Sequence, residues 1–129
     1  MKFSLLITGA PYSSPASVTA LKFAQALIRN DHDIYRLFFF GDGVLHGNSL
    51  SVVPQDESNL VDKWQELIRN SEADAVVCVT SALKQGVLDA QEAQRHSKPA
   101  SNLPDGFTIG GLGLLVDAID SSDRLVSFG

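Results

Sequence analysis

The chain has 129 residues, of which 44% are hydrophobic and 19% charged, enough for one domain with a core and too few for two. Lys and Arg number 10 against 15 Asp and Glu, and the formal charge of −5 has the wrong sign for gripping a phosphodiester backbone, so direct nucleic-acid binding is not expected. A single cysteine, Cys78, excludes an internal disulfide and any multi-thiolate zinc site, and makes a reducing, cytoplasmic setting the expectation.

The apolar stretch from Phe3 to Ile7 is far shorter than a signal-peptide core or a membrane span, so neither a targeting segment nor a membrane anchor is expected. Closed by Gly9 and Pro11, it predicts a strand buried on both faces. Ser14-Pro15 has the form of an N-cap followed by proline at the first helical position, and Val18, Leu21, Ala24, Leu27 and Ile28 recur at helical spacing. The continuous apolar run of residues 34–40, ending at Gly41, predicts a second strand. Residues 41–59 hold three glycines and a proline without a clear period. A stretch of roughly 18 residues is long for a structureless connector, which points to a functional loop or an interface element whose Val44, Leu45, Leu50, Val52 and Val53 supply contact area.

Leu60, Val61, Trp64, Leu67 and Ile68 form one stripe of an amphipathic helix, with Asp62, Lys63, Glu66 and Arg69 opposite. Residues 75–79 predict a third buried strand, and residues 80–86 a turn with a short helix. A polar helix over 89–96, a loop over 97–105, a helix over 112–119 and a last strand over 124–128 complete the chain. The alternation implies an α/β fold: a single three-layer domain, residues 1–129, with a mostly parallel central sheet flanked by helices.

In such sheets the loops at the carboxyl ends of the strands form the ligand-binding edge, here residues 9–14, 41–59 and 80–86. Cys78 lies just before the third. Spacing alone leaves it two roles, a small apolar filler in a valine-rich strand or a thiolate favoured by the turn that follows, with Lys84 and Arg95 as sources of positive potential. The glycines match neither G-x-G-x-x-G nor a Walker loop, and no serine stands in a G-x-S-x-G elbow. His32, His46 and His96 lack metal-site spacing and are expected at solvated positions, and Trp64 in the core or at a subunit contact.

Thr8-Gly9-Ala10-Pro11-Tyr12, residues 23–28, Phe38-Phe39-Phe40 with Gly43-Val44, the segment Cys78-Val79-Thr80-Ser81-Ala82-Leu83-Lys84-Gln85-Gly86-Val87-Leu88-Asp89, residues 101–108 with Gly111-Leu112-Gly113, and Asp123-Arg124-Leu125-Val126 together resemble the sulfurtransferase subunits of the DsrE family. The resemblance runs nearly end to end. It implies a DsrE-like fold and a persulfide on Cys78, with no cofactor and no metal. It also implies a heterohexamer with TusB-like and TusC-like subunits that takes sulfur from a TusA-like donor and hands it to a TusE-like acceptor, towards 2-thiolation of the tRNA wobble uridine. Two positions depart from the pattern: Lys84-Gln85 stands where a pair of arginines is expected, and Ser122 where relatives can carry a second cysteine, a position read here as structural. A lone thiol has no resolving partner in its own chain, so the relay must be intermolecular. The competing reading is a non-catalytic assembly or small-ligand-binding subunit of the same fold, with Cys78 inert.

Overall fold

The computed structural model describes residues 1–129. The first apolar run forms β1, Lys2–Ile7, and is joined by β2 (Asp33–Phe39), β3 (Asp74–Cys78), β4 (Phe107–Gly110) and β5 (Arg124–Phe128). They make one sheet in the order β4-β3-β2-β1-β5, with every neighbouring pair parallel. The sequence pattern predicts four strands. The fifth, β4, is four residues at the sheet edge beside β3.

Alternation along the strands sorts side chains between two faces. Leu5, Ile7, Leu37, Phe39, Ala75 and Val77 enter the main core. Above it pack α1 (Pro15–Arg29) and α2 (Leu60–Ser71). Pro15 opens α1 as expected, but Ser14, at the N-cap position, makes no capping hydrogen bond with its side chain. Asn59 does cap α2, its Oδ1 accepting from the Asp62 N–H at 3.2 Å, and the stripe of Leu60, Val61, Trp64, Leu67 and Ile68 is buried throughout. On the other face Phe38, Val76 and Cys78 form a smaller cluster with Leu6 and with Leu114 and Leu115 of α5 (Gly113–Ser121). Two short helices, α3 (Val79–Lys84) and α4 (Ala90–Arg95), lie between β3 and β4.

Residues 41–59 divide into two parts. Gly41–Gly47 is a 3-10 helix whose Val44 is fully buried and whose Leu45 packs against the main core, so these two residues serve the chain's own interior and not an interface. Leu50 and Val52, beyond it, remain exposed. The 3-10 helix sits so close to the end of β1 that a Cβ on Gly43 would overlap the Ile7 carbonyl oxygen and lie 2.8 Å from its carbon. Backbone on both sides leaves no flexible side chain to yield. Gly43→Ala is therefore expected to cost about 1–3 kcal/mol in urea unfolding, as overpacking does. Gly113→Ala, where a Cβ meets nothing within 4 Å, should stay within about 0.5 kcal/mol of the wild type.

Candidate functional site

The carboxyl ends of the parallel strands gather residues 9–14, the 3-10 helix and α3 on one edge. Gly41 N–H donates to Ser81 Oγ at 3.1 Å, and Gln85 Nε2 donates to the Gly41 carbonyl at 3.2 Å and to Asp42 Oδ1 at 3.0 Å, tying the β2 exit to α3. Gln85, at an expected arginine position, thus braces two loops.

Cys78 ends β3 and stands at the N-cap position of α3, with Gly110 of β4 as its sheet neighbour. Its side chain is 2% exposed and packs with Phe38, Val76 and the leucines of α5. The sulfur is therefore not open to solvent at the strand-end edge and is covered from the α5 side. That helix is fastened from β2, where Arg36 Nη1 donates to the Leu114 carbonyl at 2.8 Å and to Asp117 Oδ2 at 2.9 Å. Tyr35 Oη donates to the same carboxylate oxygen at 2.6 Å, and the bonds from Tyr35 and Arg36 hold the Asp117 carboxyl below its usual range. Ser122, just after α5, meets Ser4 of β1 with its hydroxyl, Oγ to Oγ 2.6 Å, as fits a structural position.

The two cations expected near the thiol are not brought there. Lys84 closes α3 at the far end, about 9 Å along the helix axis from Cys78, and is exposed. Arg95 Nη1 donates to Glu92 Oε1 at 3.1 Å on α4. The histidines also lie apart: His32 beside the N-terminal amine, His96 beside Glu92, and His46 fully buried.

The buried position of His46 overturns its expected solvation. Trp64 Nε1–H donates to His46 Nδ1 at 3.0 Å, so Nδ1 carries no proton and Nε2–H faces the Gly9 carbonyl and Ser17 Oγ, each at 3.2 Å. Ser17 in turn donates to the carbonyls of Gly9 and Ala10 at 3.0 and 2.7 Å. The network ties the loop after β1 to α1, the 3-10 helix and α2. Burial lowers the His46 pKa to about 4, with the Gly9 hydrogen bond opposing part of that shift.

The sequence model of the DsrE/DsrF-like family matches residues 1–128. The chain belongs to the DsrE/DsrF-like family. It is 46% identical over 130 residues to the sulfurtransferase TusD homolog of Pseudomonas aeruginosa, covering 100% of this chain and 98% of that one. A candidate sulfurtransferase DsrE of Allochromatium vinosum is 45% identical over 129 residues, covering 100% of this chain and 99% of that protein. A crystal structure of the ychN protein from E. coli superposes with a TM-score of 0.79 at 25% identity over 99% of both chains. Full-length identity at this level to proteins named sulfurtransferases makes this DsrE/DsrF-like chain a sulfurtransferase. No helix in it is long and apolar enough to cross a membrane.

Proposed function

We propose that this sulfurtransferase carries sulfane sulfur as a persulfide on Cys78 and passes it between carrier proteins. The observation that carries the reading is the position of Cys78, the one thiol of the chain, at the end of β3 where the strand-end loops gather. The Cys78 thiolate attacks the outer sulfur of a donor persulfide, forming a new S–S bond and releasing the donor thiolate. An acceptor thiolate then attacks the outer sulfur held on Cys78, which leaves as a thiolate, so the transfer involves no net oxidation. In this reading residues 1–129 act as one domain, in the cytoplasm, within a heterohexamer of TusB-like and TusC-like subunits. Sulfur arrives from a TusA-like donor and leaves to a TusE-like acceptor, towards the 2-thiouridine of the tRNA wobble position.

Association is supported by apolar side chains on the outside of α5 and at its start, where Leu112, Val116 and Ile119 are each more than half exposed. Burial of the thiol means that sulfur reaches it only when α5 or the β3–α3 corner moves. A second reading, an inert Cys78 in an assembly or small-ligand-binding subunit, is favoured by that same burial. Intact mass after incubation of the assembled protein with a sulfane-sulfur donor decides between them. One added sulfur atom, removed by reductant and blocked by prior alkylation of Cys78, is expected. No adduct under conditions that load the donor would establish the inert reading.

A further inference from the structure

A groove of about 550 Å3 runs between the C-terminal end of α3 and the segment after α4. Lys84, His96 and Lys98 line it together with Leu83, Leu88 and Pro99, and no carboxylate lines it. Three other grooves each carry acidic residues: Glu66 beside Arg29 and Lys63, Glu57 beside Lys22 and Lys63, and Asp31 with Asp33 beside His32. Neither Lys84 nor Lys98 pairs with a carboxylate of its own chain. Glu92, 8% exposed, lies beside His96, Oε2 to Nε2 3.3 Å, and accepts from Arg95 Nη1 on its other oxygen at 3.1 Å. A chain of net charge −5 thus keeps an unpaired cationic groove on the helix that begins beside its thiol.

From this groove we infer a docking site for an acidic, extended peptide segment of the protein that exchanges sulfur with Cys78. The identity of that occupant rests on the sulfur-relay reading. The groove's chemistry favours a peptide over a nucleic acid. The lining holds no phenyl, phenol or indole ring on which a base would stack, and two lysines provide few phosphate contacts on a molecule whose overall charge repels polyanions. Apolar lining beside separated lysines suits a peptide that lays its backbone and small side chains on Leu83, Leu88 and Pro99 while its carboxylates reach Lys84 and Lys98. The span from Lys84 back to Cys78, about 9 Å, is crossed by about three residues of extended chain. A partner cysteine at that spacing from the acidic run would lie at the β3–α3 corner while the run holds the groove, and would meet Cys78 when that corner or α5 moves.

The test uses the assembled protein and a fluorescein-labelled synthetic peptide with a run of glutamates about three residues from a single cysteine, beside a twin with glutamines in their place. Anisotropy at low salt should show preferential binding of the glutamate peptide. The double variant K84E/K98E should weaken it about tenfold or more and leave the glutamine peptide unchanged, since both lysines are exposed and unpaired. The milder K84Q/K98Q, with circular dichroism on both variants, controls for folding. Equal binding of the two peptides, indifference to charge reversal, or displacement by a single-stranded oligonucleotide of equal charge as readily as by unlabelled peptide would each overturn the proposal. Intact mass after loading with a small sulfane-sulfur donor, on the same samples, separates the two ideas. Binding preference without an adduct overturns the persulfide reading alone, and an adduct without preference overturns the groove alone.

Discussion

Cys78→Ala and Cys78→Ser are each expected to abolish the sulfur adduct and all sulfur transfer by the assembled protein, because neither side chain can hold a persulfide and the chain has no second thiol to take over. The two should differ in stability. Alanine leaves a small void among Phe38, Val76 and the α5 leucines, costing about 1 kcal/mol. Serine places a hydroxyl in that apolar cluster. Left without a hydrogen-bond partner, the hydroxyl costs about 1–3 kcal/mol, so the near-isosteric replacement is the more disruptive one. Loss of transfer in the alanine variant with a melting curve close to the wild type assigns the loss to chemistry. Residual loading in either variant would move the carrier role away from Cys78.

Much of the fold is legible in the sequence because its strands are uninterrupted apolar runs and α2 carries a clean stripe, signals that come from burial itself. The edge strand β4 escapes for the opposite reason. It has four residues, Phe107-Thr108-Ile109-Gly110, and pairs only with β3, so no run or alternation develops. That Cys78 ends a strand is also legible. Which helix covers it is not, since Leu114 and Leu115 are more than thirty positions away and are placed over the sheet by Arg36 of another strand. The place of Lys84 is also legible: it is the sixth residue of the helix that follows Cys78, and somewhat more than one and a half turns carry it away from the thiol. His46 had no such signal, because its partners Trp64 and Gly9 lie 18 and 37 residues off and become neighbours only when four elements meet.

That meeting makes acid the second large perturbation. In the folded protein His46 stays neutral down to about pH 4, because protonation would bury a charge whose neighbours, Trp64, Ser17, Gly9 and Phe39, are all uncharged; a proton on Nδ1 would also displace the hydrogen bond from Trp64 N–H. In the unfolded chain the same imidazole titrates near its ordinary 6.5. Between these values the unfolded state binds the extra proton, so stability is fully present above the upper value and is lost as pH falls towards the lower one. At about 1.4 kcal/mol per pH unit the loss is about 3 kcal/mol, a large share of the stability of a small domain. Chemical denaturation from pH 7 to pH 4 should show it. Asp117, whose pKa is depressed below its usual value, adds its own loss only at still lower pH, so the two windows are distinguishable. His46→Gln should start less stable but lose far less between pH 7 and pH 4, since glutamine has nothing to titrate. Trp64→Phe should weaken the fold at neutral pH by about 1–3 kcal/mol, leaving Nδ1 buried without a donor, and should lessen the acid loss while burial keeps part of it, because a proton on Nδ1 no longer faces an N–H. If both variants kept the wild-type pH slope, the acid sensitivity would lie with the carboxylates and not with the histidine that ties the site loops together.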